Sequence, residues 1–156
     1  MYSFEPKKTP HVQSHVRRIL DLTVPNWSPD LERDRAEDRT IRVIPALLCA
    51  WERDAPVVDQ HAFVLTRDFS SEGVGVILNS PFRDRELLLG FRLGEEVMHE
   101  PWFFLGTAQH LRRFGGGYWT MGVQLREFVG ATPVKRCAAL GTLMERLLIT
   151  EPVAAT

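Results

Sequence analysis

Apolar and polar positions fall into three textures along the chain. In "HVQSHVRRILDL", His11 to Leu22, the residues Val12, Val16, Ile19 and Leu20 recur at helical spacing, which predicts a short amphipathic helix with Pro25 just beyond its end. Before it, Met1 to Pro10 is polar and carries Pro6 and Pro10, the pattern of a loosely held tail. The stretch "NWSPDLERDRAEDRTIR" is dense in charge, and Ser28 followed by Pro29 suits the start of one or two turns of solvated helix. From Arg42 the texture turns to short β-type runs: "RVIPALLCAWE", "QHAFVLTR", "GVGVILNS", "RELLLGFRL", "VMHEPWFFLGTAQHLRRF" and "GYWTMGVQLREFV". Separators such as "RDAP", "NSPFRD" and "FGGG" have the Pro, Gly, Asn and Asp content of tight connections. Six strands so joined predict a small antiparallel barrel or sandwich. After Pro133 the period is helical again, with Val134, Cys137, Leu140, Leu143, Met144, Leu147 and Leu148 on one stripe. That predicts a helix over 133–149, expected to lie across an open end of the barrel.

Composition narrows the function classes. A chain of 156 residues is long enough to bury a core without disulfides or metal. A formal charge of −1 and a pI near 6.5 lack the basic footprint of a protein that binds nucleic-acid polymers. The two cysteines, Cys49 and Cys137, have no CxxC spacing and read as reduced core thiols. The N-terminus has no apolar targeting core and no window approaches the roughly 18 apolar residues of a membrane helix, so a cytoplasmic protein without membrane insertion is expected. His11 and His15 are one turn apart, but the other three histidines are scattered, and no metal site is expected. No serine sits in a nucleophile elbow, and Cys49 lies in an apolar run that disfavours its thiolate, so no enzymatic activity is expected. "FGGGY" lacks the Lys-Ser/Thr of a phosphate loop and reads as a hairpin turn.

Two polar patterns interrupt this plain picture. Arg35-Ala36-Glu37-Asp38-Arg39 is an R-x-x-x-R, and Asp68-Phe69-Ser70-Ser71-Glu72-Gly73 is a D-x-S-x-x-G. Singly, the first also fits a solvated, ion-paired helix end, since Glu32, Asp34, Glu37 and Asp38 alternate with Arg33, Arg35, Arg39 and Arg42. The second, singly, also fits a self-bonded Asx or Ser turn. Together, spaced as they are about a predicted strand, they resemble the PilZ domain, a family of bacterial receptors for cyclic di-GMP. The resemblance extends to "TIRVIPALL", with Pro45 six residues past Arg39, to "YWTMGVQLREF" as a final long strand, and to the C-terminal helix.

The resemblance implies a six-stranded antiparallel β-barrel of split-barrel type with a C-terminal helix over 31–150, preceded by a tail and short helix over 1–30 and followed by a tail over 151–156. It implies cyclic di-GMP as ligand, with Arg35, Arg39, Asp68, Ser70 and Gly73 as the binding residues and no cofactor. Arginine suits the task because its planar fork matches both phosphate oxygens and guanine O6/N7. Asp68 would accept from guanine N1–H and N2–H2, Ser70 would bond beside it, and Gly73 would keep a Cβ out of the ligand's way. Arg33, Arg42 and Arg67 are candidate assistants. Phe69 is expected to face the core by strand alternation. With no catalytic group, the output implied is an ordering of the Leu31–Arg42 segment read by a protein partner; the alternative is a barrel that serves as an interaction module without nucleotide. Asp34, where relatives often carry another arginine, and Glu37 and Asp38 inside the motif depart from the family pattern and weaken the expected affinity.

Overall fold

Residues 5–22, 40–92 and 100–155 are described by a computed structural model, and they contain three helices and seven strands. The strands are β1 (Thr40–Ile41), β2 (Pro45–Glu52), β3 (Ala55–Phe69), β4 (Gly73–Leu78), β5 (Glu86–Phe91), β6 (Trp102–Gly115) and β7 (Tyr118–Gly130). All pairings are antiparallel and run β1-β3-β2-β5-β6-β7-β4, with β4 returning to pair β3. The return closes a six-stranded barrel, and β1 is an extra strand on β3.

Closing so few strands demands strong coiling, which the long strands supply through bulges. β3 begins at Ala55, earlier than the Gln60 expected, because a register shift between Cys49 and Ala50 lets "PVVDQ" stay in the ladder. β6 breaks register four times against β7. The β6–β7 hairpin turns on Gly116 and Gly117, at φ +64° and +83°, a left-handed pair that glycine adopts without strain.

Period-two alternation fills the interior. Ala46, Leu48 and Ala50 of β2, Val74, Val76 and Leu78 of β4, Leu87, Leu89 and Phe91 of β5, and Met121, Val123 and Leu125 of β7 form one buried cluster. Phe69 and Phe104 join it, Phe91 lying 6.0 Å from each ring. The same cluster holds Val12, Val16 and Ile19 of the N-terminal helix α1 (Glu5–Leu22), all essentially buried. The helix starts at Glu5, not at His11: a proline in the first turns leaves its own missing donor unneeded or costs one bond, which a long helix docked on the core tolerates.

The C-terminal helix does not lie across the barrel's end, as expected from its stripe. Instead Leu140, Leu143, Met144 and Leu147 pack with Leu47, Cys49, Leu88 and Phe103, the residues that alternate with the interior set and so face outward from β2, β5 and β6. The barrel interior is supplied by α1 in its place. The predicted single helix is also two: α2 (Thr132–Arg136) ends at Cys137, whose extended backbone (φ −138°, ψ 102°) breaks the path before α3 (Ala138–Ala155). The Cys137 carbonyl then accepts the first amide bonds of α3, from Leu140 at 3.1 Å and Gly141 at 3.4 Å. No described helix is long and apolar enough to cross a membrane.

Candidate functional site

The stretch Arg67 to Val76 is mostly strand. Val74 pairs Phe69 and Gly75 pairs Asp68, leaving Ser70-Ser71-Glu72 as the turn, closed by Ser70 N–H donating to Gly73 O at 2.9 Å. A bulge between Thr66 and Asp68 sets Arg67 and Asp68 together against Gly75. Such a bulge re-aims side chains. Thr66 and Phe69 face the core, Phe69 as expected, while the Asp68 carboxylate lies over Gly75: a Cβ at position 75 would be 2.7 Å from Asp68 Oδ1. Arg67 leaves this spot and its guanidinium sits 5.3 Å from the centre of the Phe114 ring.

Beside this hairpin the outer faces of β4, β7 and β6 form a groove of about 500 Å3. Its walls include Ser70, Ser71, Glu72, Gln109 and Gln124, and its floor carries Gly73, Gly75 and Gly122. The three glycines are at outward positions, Gly75 beneath the Asp68 carboxylate, Gly73 beside Ser70 Oγ and Gly122 with no side chain within 4 Å of where its Cβ would stand. The rim carries amides, hydroxyls and the Glu72 carboxylate, with Gln109 Nε2 donating to Gln124 Oε1 at 3.1 Å. The tightness at Gly73 is of the same origin: it has no left-handed φ, but a Cβ there would meet Ser70 Oγ at 3.2 Å and Val123 O at 3.3 Å. Close approach, not turn conformation, is what calls for glycine.

β1 is tethered to the same hairpin. Thr40 pairs Phe69 and Ile41 pairs Asp68. Just past β1 the chain is pinned again, because the buried Thr66 Oγ1 donates to Arg42 O at 2.5 Å and accepts from Ile44 N–H at 2.8 Å. Arg35 and Arg39, along with Arg33 and the predicted Ser28 helix, lie outside the described residues. Arg39 is the residue before Thr40 in the sequence, and Thr40 is paired to the D-x-S-x-x-G hairpin.

On its other side the hairpin turn meets α1. Gln13 Nε2 donates to Glu72 Oε2 at 3.1 Å, and a cleft of about 310 Å3 runs between Gln13, Arg17, Thr40, Ser70 and Ser71. The helix is oriented by aromatics: the His15 ring stacks on Phe128 at 3.6 Å and meets Trp102 edge-on at 5.2 Å, while His15 Nδ1 is 2.8 Å from His11 O. These contacts are what the His11–His15 pair does, and among the described residues no group of three His, Cys, Asp or Glu is arranged to hold a metal.

Elsewhere, burial pushes the Cys49 thiol up to about 11, with Cys137 adding to the rise and a bond to Val57 O opposing it. A third cleft, of about 580 Å3, is walled mainly by Trp51, Pro56, Leu105, Val129 and Pro133 and shares no residue with the hairpin.

Asp68, Ser70 and Gly73 are therefore brought to one place, with Asp68 and Gly73 in the ladder and Ser70 in the turn. The sequence does not single out Gly75, Gly122, Gln109, Gln124 or Arg17. Gly73 and Gly75 alternate with Val74 and Val76, a period-two signal of one small face; the glutamines and Arg17 carry no such local mark.

No family model matches the chain, and no curated protein matches it. Among solved structures it is similar to that of the Bacillus subtilis inhibitor of motility, MotI/DgrA, at 16% identity and a TM-score of 0.45, over 75% of this chain and 51% of that one. The chain thus spans about half the length of that relative.

Proposed function

We propose that the protein is a receptor for cyclic di-GMP that holds the ligand between the Asp68–Gly73 hairpin and the segment carrying Arg35 and Arg39. The observation that carries this reading is the pairing of Thr40 with Phe69 and of Ile41 with Asp68, which ties the end of the R-x-x-x-R to the D-x-S-x-x-G. A glycine-floored groove beside Asp68 and Ser70 suits a guanine face, with Asp68 accepting from the base edge and Ser70 bonding beside it. Guanidinium forks from Arg35 and Arg39 supply what the groove itself lacks, cations for the two phosphates. Charge-assisted bonds of about 1.5–3 kcal/mol each, two forks and one stacked base sum to the roughly 8 kcal/mol of a micromolar complex or better.

The output in this reading is a surface and not a reaction. Ligand contacts draw the part of the 31–42 segment that precedes the already paired Thr40 onto the hairpin, and a protein partner recognises the ordered form. Calorimetry with cyclic di-GMP tests it. Wild type is expected to bind with a Kd at or below the micromolar range, and Arg35→Ala, Arg39→Ala and Asp68→Ala each to weaken binding, the arginine variants with a shallower salt dependence. No heat from folded protein at tens of micromolar would overturn the receptor reading and leave the barrel as an interaction module.

A further inference from the structure

The helix α1 shows three faces at i, i+3 and i, i+4 spacing. Val12, Val16 and Ile19 enter the core, His11 and His15 lie on Phe128, and Gln13 with Arg17 faces the hairpin turn. The first two faces fix the helix, so the third is held in place by contacts that have nothing to do with a ligand. Gln13 uses its amide on Glu72 Oε2. Arg17 does not follow it: among the described residues its guanidinium has no hydrogen-bond or ion-pair partner, and it lines a cleft whose other polar lining residues are Gln13, Thr40, Ser70 and Ser71.

A guanidinium that shares a cleft with Thr40, Ser70 and Ser71 has the residue types around it to receive an anion with several oxygens, and a phosphodiester fits that description. At about 310 Å3 the cleft is at the small end of ligand sites, sized for part of a dinucleotide. Ser70 and Ser71 also border the glycine-floored groove, so one ligand can place a base on that side of the turn and a phosphate on this one. Thr40 adds the connection to the other cations, being next in sequence to Arg39.

We infer that Arg17 is a ligand-binding residue, holding a phosphodiester of the bound nucleotide in the cleft between α1 and the β3–β4 turn, so that the N-terminal helix reads the ligand together with the two motifs. This rests on the cyclic di-GMP reading above. It makes α1 the third side of the site, where the motifs alone offer two.

The test is calorimetry with cyclic di-GMP at two salt concentrations on wild type, Arg17→Ala, Arg17→Lys, Arg18→Ala and Arg35→Ala, with folding checked by thermal unfolding. Arg18 is exposed and does not line the cleft, so it controls for general charge. Arg17→Ala is expected to raise Kd about 10-fold or more and to flatten the salt dependence, Arg17→Lys to recover part of the loss, and Arg18→Ala to bind as wild type. If Arg17→Ala binds as wild type does while Arg35→Ala loses affinity, the inference is overturned and the receptor reading stands. If Arg18→Ala weakens binding as much as Arg17→Ala, the effect is diffuse charge and the inference is overturned as well. Wild type that does not bind overturns the receptor reading, and the assignment of Arg17 with it. Should Arg17→Ala fail to fold, Arg17→Lys carries the comparison, since it keeps charge and stem and loses only the fork: equal affinity to wild type overturns the inference and weaker affinity supports it.

Discussion

Replacing Gly75 by alanine isolates the role of Asp68 without touching Asp68. An added Cβ would stand 2.7 Å from Asp68 Oδ1, 3.7 Å from its Cγ and 4.0 Å from Arg67 Cβ. To regain contact at about 3.5 Å the carboxylate must give way by most of an ångström. It is only 6% exposed, so it cannot do so freely. Leaving its rotamer by some 30° costs about 0.5–1.5 kcal/mol. For a chain of this size that lowers Tm by about 2–4 °C per kcal/mol. A displaced carboxylate also forfeits at least one charge-assisted bond to a guanine edge, about 1.5–3 kcal/mol, so Kd for cyclic di-GMP is expected to rise about 10- to 100-fold. Gly122→Ala is the companion variant. Its Cβ would lie 3.6 Å from Gln109 O, an ordinary contact, so its stability is expected within about 0.5 kcal/mol of wild type, and any loss of binding reports a filled groove floor. Calorimetry and thermal unfolding read both quantities. A Gly75→Ala protein with lowered Tm and wild-type Kd would refute the use of Asp68 by the ligand; one with unchanged Tm would refute the close approach itself.

Two further outcomes follow from buried groups. Thr66→Val removes the hydroxyl that bonds both Arg42 O and Ile44 N–H, and is expected to cost about 1–3 kcal/mol in urea unfolding; a change within about 0.5 kcal/mol would show that the pin on the strand entry is dispensable. The Cys49 thiol is raised from 9.0 to about 11 in the folded protein, chiefly by burial, so the folded state holds its proton more tightly than the unfolded chain. Its contribution is intact below pH 9 and is lost as pH rises toward 11, so urea midpoints should fall over that window. In Cys49→Ala the fall should be shallower, and equal slopes in the two proteins would refute the assignment.

The barrel is legible in the sequence because each strand repeats its inward residues at period two, as in Val74, Val76 and Leu78, and because the turns carry their own chemistry. The position of α3 is not legible from its stripe, which says that a face is covered and not by what. The better signal is in the strands: "ALLCA" in β2 and "LLL" in β5 are apolar on both faces, as strands are when both sides are buried, with Leu48 inward and Leu47 and Cys49 beneath the helix. In the site, Asp68, Ser70 and Gly73 could be named because the D-x-S-x-x-G, taken with the R-x-x-x-R upstream, resembles a family pattern; turn chemistry alone would not have singled them out. Their true setting could not, since the bulge at Arg67 is decided by the register of β3 on β4, and the pairing of Ile41 with Asp68 joins residues 27 apart in sequence. Arg17 was hidden for the same cause. Which stripe of a helix meets a distant turn is a tertiary fact that helical periodicity leaves open.

The burial of Val12, Val16 and Ile19 in the barrel has a consequence for the order of synthesis. α1 leaves the ribosome before the strands it packs on, the interior it completes is walled by β4, β5 and β7, and the barrel does not close until β7, more than forty residues after β4, arrives to pair with it. Contacts so distant in sequence form slowly, and a barrel has no stable half. The apolar face of α1 is therefore the part of the nascent chain that must be kept from other partners longest, and early release or a stalled translation before Gly130 leaves that face without a place to go.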